Sequence, residues 1–270
     1  MTKSSVRTLL CAALLLAVGC STIRTTPQDE QLRRMVDLNE RALASAEKGQ
    51  RSDATKLLQD SWRLATALDD QPMQIMTLLN QSRLARRNHD LAESRTYLDK
   101  ALHISGQQGP LFADLAQEQA LWALAAGDLT EAQCWATAAH RAEEGSQLGR
   151  RLNLLARVAL LRGQRSEAKT LAEQALANNK TVGQELERAN SLRTLGIIAT
   201  QEGDWIAAEE QLQAALTLDR QQAAPHRIIS DLEALAELAG RQQQTERQQE
   251  YLQRARMARE QFASSAKKSE

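Results

Sequence analysis

NSLRTLGIIATQEGDWIAAEEQLQAALTL, residues 190–218, sets two apolar-periodic runs on either side of one glycine. In the first run Leu192, Leu195, Ile198 and Ala199 recur at helical spacing and share a face. Gly203 ends it. Ala208, Leu212 and Ala215 follow at five, nine and twelve residues beyond the glycine and form the apolar side of a second run. Gly196, seven residues before the turn, is small where two backbones must approach. The stretch therefore reads as a helix, a tight turn and a second helix folded back on the first.

The same spacing appears elsewhere along the chain. Gly127, Ala132, Ala136 and Ala139 repeat it, as do Gly163, Ala168, Ala172 and Ala175. Weaker copies are Gly49, Ala54, Leu58, Ser61; His89, Ser94, Leu98, Ala101; and Gln243, Gln248, Leu252, Ala255. Turns thus fall at 49, 89, 127, 163, 203 and 243, a period of 36 to 40 residues. A small residue precedes each turn by seven: Ala42, Ser82, Ala120, Ala156, Gly196 and Ala236. Pro72, Pro110 and Pro225 each fall three or four residues before an expected first helix of a unit, and Pro27 precedes the first unit. None interrupts an expected helix, where proline would cost about 3 kcal/mol. No stretch alternates with β-branched enrichment, so no sheet is expected.

These residues resemble the tetratricopeptide repeat (TPR), most clearly over Asn190–Leu218. Spacing near 40 is similar to the longer variant of scaffolding proteins rather than the 34-residue form. The resemblance covers residues 30–263 and implies an all-α, right-handed α-solenoid, a superhelix of about six helix-turn-helix units. The first helices of the units, the A helices, would line its concave face.

The N-terminus reads as a targeting segment. Lys3 and Arg7 precede an apolar run, Thr8 to Val18, that is shorter than the roughly 20 residues a bilayer span needs. Leu16-Ala17-Val18-Gly19-Cys20 resembles the bacterial lipoprotein cleavage box, which implies a signal peptide over 1–19 and lipidation of Cys20. Ala17 departs from the box, where leucine is commoner, and an ordinary secretory signal with a coincidental cysteine is the alternative. Ser21, rather than aspartate, implies transport to the outer membrane, so the expected location is the bacterial cell envelope, facing the periplasm. Several acyl chains on one cysteine would hold the membrane stably, whereas one binds marginally. Residues 20–29 read as lipidated cysteine and tether, and 264–270 as a disordered tail.

Charge excludes one class of partner. The chain has 34 basic and 34 acidic residues; removal of Lys3 and Arg7 leaves 32 basic, a formal charge of 2 negative. Nucleic acid is not an expected partner. With Cys11 removed and Cys20 acylated, Cys134 stands alone, either a small packing residue or an intermolecular link. His89, His103, His140 and His226 form no ligand-like pair, and no metal, cofactor or catalytic residue is expected. Glu143, Glu144, Glu209 and Glu210 fall on stretches expected to face solvent. Trp205, two residues after a turn glycine, is expected to wedge between helices.

Counting back from each turn names the residues expected to face the groove. Unit two offers Met76, Leu79, Arg83, Arg86 and Arg87; unit three offers Gln117, Leu121 and Leu124. Unit four offers Arg150, Asn153, Arg157 and Leu160; unit five offers Asn190, Arg193, Ile197 and Thr200. Unit six turns acidic, with Glu233 and Glu237. Partner binding is assigned to Arg83, Arg86, Arg150, Asn153, Arg157, Asn190, Arg193 and Ile197. Arginine grips carboxylates with a planar fork, and asparagine can satisfy both polar groups of an extended backbone. This arrangement resembles the carboxylate-clamp TPRs, though their lysine and asparagine positions are not reproduced residue by residue. Replacing Arg157 and Arg193 together with glutamate is expected to abolish capture and leave helicity intact.

The expected function is a periplasmic scaffold for a protein or peptide ligand with an acidic segment. Two alternatives share the class: a pilotin-like factor for secretin or type IV pilus assembly, and a regulator of peptidoglycan enzymes. Strict 34-residue spacing, which the pilotin resemblance would imply, is absent. An enzyme acting on wall material would need closely paired carboxylates in a cleft.

Overall fold

The computed structural model describes residues 26–267, with 107, 108, 110 and 144 excepted, and side chains through 262. The leader, Cys20 and Pro110 lie outside the described residues. Six helix pairs follow in order: α1 (Pro27–Glu47) with α2 (Arg51–Ala67), α3 (Gln71–Arg87) with α4 (Leu91–Ser105), and α5 (Phe112–Ala126) with α6 (Leu129–Arg141). Then come α7 (Leu148–Leu161) with α8 (Arg165–Thr181), α9 (Glu185–Glu202) with α10 (Trp205–Gln221), and α11 (Pro225–Arg241) with α12 (Thr245–Lys267). No strand occurs among the described residues, and no helix there is long and apolar enough to cross a membrane.

Helix starts differ from the sequence reading for a common reason. Pro72 and Pro225 sit inside the first turns of α3 and α11, not ahead of them. That turn needs no partner for its backbone N–H, and proline's φ is already helical. Likewise α1 begins at Pro27, inside the stretch read as tether. Thr26 caps it: Thr26 Oγ1 accepts from the Asp29 N–H at 3.1 Å and the Asp29 carboxylate accepts from the Thr26 N–H at 2.9 Å. At the other end α12 continues to Lys267, into the stretch read as tail, because nothing in 264–267 is glycine or proline.

At the turns, Gly49, Gly127, Gly163 and Gly203 take φ of 78, 81, 79 and 79°, where a Cβ is disfavoured. His89 and Gln243, in the degraded copies, adopt the same left-handed conformation. A second turn series joins the units, with positive φ at Asp69, Gly183 and Ala223. Only one of these three is glycine, so composition gave no signal for it. After three A-to-B turns an aspartate caps the B helix, as where Asp90 accepts from the Glu93 N–H at 2.8 Å and Asp128 from the Glu131 N–H at 2.8 Å.

The small residues form the crossing seam that their spacing implied. Ala42, Ser82, Ala120, Ala156 and Ala236 on the A helices and Ala54, Ser94, Ala132, Ala168 and Ala208 on the B helices are all buried. Where serine replaces alanine the pair bonds to itself, Ser82 Oγ to Ser94 Oγ at 2.8 Å. A Cβ on Gly196 would come within 2.7 Å of Leu212 Cγ, so glycine is needed at that crossing.

Each helix packs on the next, and each A helix also packs on the A helix of the following unit, from α1·α3 through α9·α11. Successive B helices stand farther apart and meet through long side chains, as where Arg95 of α4 reaches Glu131 of α6 and Arg247 of α12 reaches Glu209 of α10. Helices that close up on one side and fan out on the other make a curved array with the A helices inside. The concave face is therefore built of α1, α3, α5, α7, α9 and α11.

Candidate functional site

Four A helices, α5, α7, α9 and α11, enclose a groove of ≈ 690 Å³. Arg150, Asn153, Arg157, Asn190, Arg193 and Ile197 all line it. Leu121, Arg157 and Ile197 each stand six residues before a turn, so three neighbouring helices present them at one level. The sequence reading missed Glu187, Thr194, Gln201, Arg227 and Ser230, which also line it. Arg227 was missed because α11 was expected to start after it, whereas the helix starts at Pro225.

Arg83 and Arg86 stand apart from this groove. Both clasp Glu118 of α5: Arg83 Nε donates to Oε1 at 3.1 Å and Arg86 Nη2 to Oε2 at 3.1 Å. Glu118 is 1% exposed. Burial alone would raise its pKa, but Arg83 and then Arg86 outweigh burial and hold the carboxyl at about 2. Arg87 pairs with Glu47 on α1, and Leu79 is core.

The asparagines are already satisfied. Asn153 Nδ2 donates to the Glu187 carbonyl at 2.8 Å and to its Oε2 at 3.1 Å, while Asn153 Oδ1 accepts from Ser191 Oγ at 2.7 Å. Asn190 Nδ2 donates to Glu187 Oε2 at 2.9 Å, and its Oδ1 accepts from Arg193 Nη1 at 2.7 Å. Backbone capture by these amides, expected from the sequence, would require breaking that network. Thr200, expected in the groove, is buried and donates to the Gly196 carbonyl at 2.8 Å.

Arg193 is also committed. Its Nε donates to Asp231 Oδ1 at 2.6 Å and its Nη2 to Asp219 Oδ2. Both carboxylates are fully buried, and Asp219 Oδ1 and Asp231 Oδ2 have no donor. Burial raises both pKa values against the pull of Arg193, Asp231 reaching about 7 with Asp219 beside it. A proton held between the two carboxyls would supply the missing donor. Arg193→Glu would set a third carboxylate here, so the double glutamate variant expected to keep its helicity would instead disrupt α9, α10 and α11.

Arg150 and Arg157 are different. Neither makes a hydrogen bond or ion pair among the described residues. Burial is the main cause lowering the pKa of each, and for Arg157 the charged neighbours, Arg86 and Arg193, lower it further. Arg157 is solvent-exposed within the groove, yet the walls remove it from bulk water. It is a cation among cations. Such a group gains most from an anion brought by a ligand.

Three other expectations change. Trp205 is no wedge: it is 39% exposed at the first turn of α10 beside Ile206, because the helix begins at Trp205 and turns the ring outward. Cys134 is exposed rather than packed. Glu143 faces inward, its Oε2 accepting from Arg151 Nε at 3.1 Å.

No protein-family model and no curated protein matches the chain. Solved structures do. A Rap protein complexed with Competence and Sporulation Factor is 13% identical, over 88% of this chain and 67% of that one, with a TM-score of 0.73. NprR in complex with its cognate peptide NprX is 15% identical, over 91% and 72%, at 0.67. The nearly identical TPR-like repeats of a Podosopora anserina putative kinesin light chain are 20% identical, over 70% and 96%, at 0.53. What these share with the chain is the fold: it is a TPR-like helical-repeat solenoid.

Proposed function

We propose that this chain is a scaffold of the bacterial cell envelope that seats a protein or peptide ligand in its concave groove. Lipid on Cys20 would hold it to the outer membrane with the solenoid in the periplasm. The observation that carries the reading is the pair Arg150 and Arg157, two cations that line the groove with no ion-pair partner among the described residues. The likeness in fold to Rap and NprR, each solved with a bound factor or peptide, supports a peptide-sized occupant. An acidic segment is the complement of those arginines.

Crosslinking in cells followed by affinity capture tests this with wild type beside Arg157→Glu. Arg157 makes no internal bond, so the variant should keep its circular dichroism and lose the principal partner. Capture unchanged in the variant would move the site away from the groove.

A further inference from the structure

Arg150 and Arg157 lie seven residues apart on α7, two turns along one face. At ~1.5 Å per residue their Cα atoms are about 10.5 Å apart. Around them the other charged groups hold ion-pair partners: Glu118 with Arg83 and Arg86, Glu187 with Arg227, Asp219 and Asp231 with Arg193. Among the described residues that line the groove, the unpaired cations therefore stand at two points. Arg150 has Glu118 and Glu187 as distant attractive neighbours, whereas the charged neighbours of Arg157 are both cations. Of the two, Arg157 has the stronger demand for an anion. Leu121 and Ile197 flank it at the same level on α5 and α9.

Two anions that meet both arginines must be about 10 Å apart. A peptide extended in the polyproline II conformation rises ~3.1 Å per residue and presents every third side chain on one face, so the carboxylates would be three positions apart in its sequence. A helical ligand would need seven positions. Isolated helices shorter than about 12–15 residues are marginal in water, so a peptide-sized occupant enters the groove extended rather than helical. We propose that the groove selects an extended acidic segment carrying two carboxylates at positions i and i+3, one on Arg150 and one on Arg157, with an aliphatic residue next to the second. This rests on the groove being the ligand site, as proposed above. Arg157 is the specificity-determining contact, because no internal carboxylate competes for it.

Selection from a displayed library of random short peptides, their ends embedded in neutral linkers, tests the spacing on the full chain. Wild type should enrich Asp or Glu pairs at i, i+3, and Arg157→Gln should not. A selected peptide should lose at least about tenfold in affinity for the variant, the loss of one charge-assisted hydrogen bond. Arg157→Lys, which keeps charge but loses the fork, should fall between them. Enriched peptides without that spacing, or with acids seven apart, would overturn the spacing and leave the groove reading standing, whereas peptides enriched alike by wild type and Arg157→Gln would overturn both. No peptide retained by wild type would overturn both.

Discussion

Arg157 and Arg193 line the groove from the A helices of adjacent units, yet one is open and the other is held. Arg193 meets two fully buried carboxylates with a single guanidinium, and one cation cannot offset both. Asp231 consequently keeps its proton up to about pH 7 in the folded state. A carboxyl that binds its proton more tightly when folded adds stability below the ordinary carboxylate range. That stability declines as pH rises from about 4 through about 7. Asp231→Asn keeps an acceptor for Arg193 and a donor for Asp219 without a titrating charge. We expect urea unfolding to show the variant more stable than wild type by at least about 1 kcal/mol near pH 8, with the advantage gone near pH 4. An unchanged pH profile would mean that Asp231 does not titrate there. Counting back from the turns located both arginines in the groove, but whether each would find an internal partner could not be read from position alone.

Between elements, polar contacts follow the repeat period. Arg83 reaches Glu118 at 35 positions, Arg95 reaches Glu131 at 36, and Arg247 reaches Glu209 at 38. Stacked units set equivalent positions side by side, and a complementary charge at one period's distance closes the joint. The joint at Glu118 is the most enclosed of these, since α3 supplies two cations to one buried acid of α5. Its folded pKa is depressed, so its contribution is present above the ordinary carboxylate range and lost as pH falls from about 4.5 towards about 2. Glu118→Gln leaves Arg83 and Arg86 without a counter-charge and should cost about 3 kcal/mol at neutral pH. The measurement is again urea unfolding, and wild type should approach the variant in stability as the pH is lowered towards 2. A difference that stays constant with pH would argue against the ion pair. The helices themselves were legible, because period, turn residue and crossing residue all lie within one unit. Their starts were less so: proline marks the first turn from within, and the sequence reading placed it outside.

At the scale of the whole molecule, each unit is stabilised by its neighbours rather than by a common centre, and the curved face follows from A helices closing up against one another. Anchoring is a separate property of the chain and is tested separately. Cys20→Ser should release the protein from outer-membrane vesicles into the soluble periplasmic fraction and abolish incorporation of labelled palmitate. A variant that stays in the membrane fraction would rule out lipid as the anchor. The amino-acid sequence by itself determined six helix pairs, their turns and the small-residue seam. On α7 and α9 it also located Arg150, Asn153, Arg157, Asn190, Arg193 and Ile197 on the groove wall, since all of these depend on residues within about 40 positions repeating in phase. Only the tertiary structure decided which inward-facing groups are free. Asn153, Asn190 and Arg193 are occupied and Arg150 and Arg157 are not. That depends on Glu187, Asp219 and Asp231, side chains that neighbouring helices bring into reach only when the units stack.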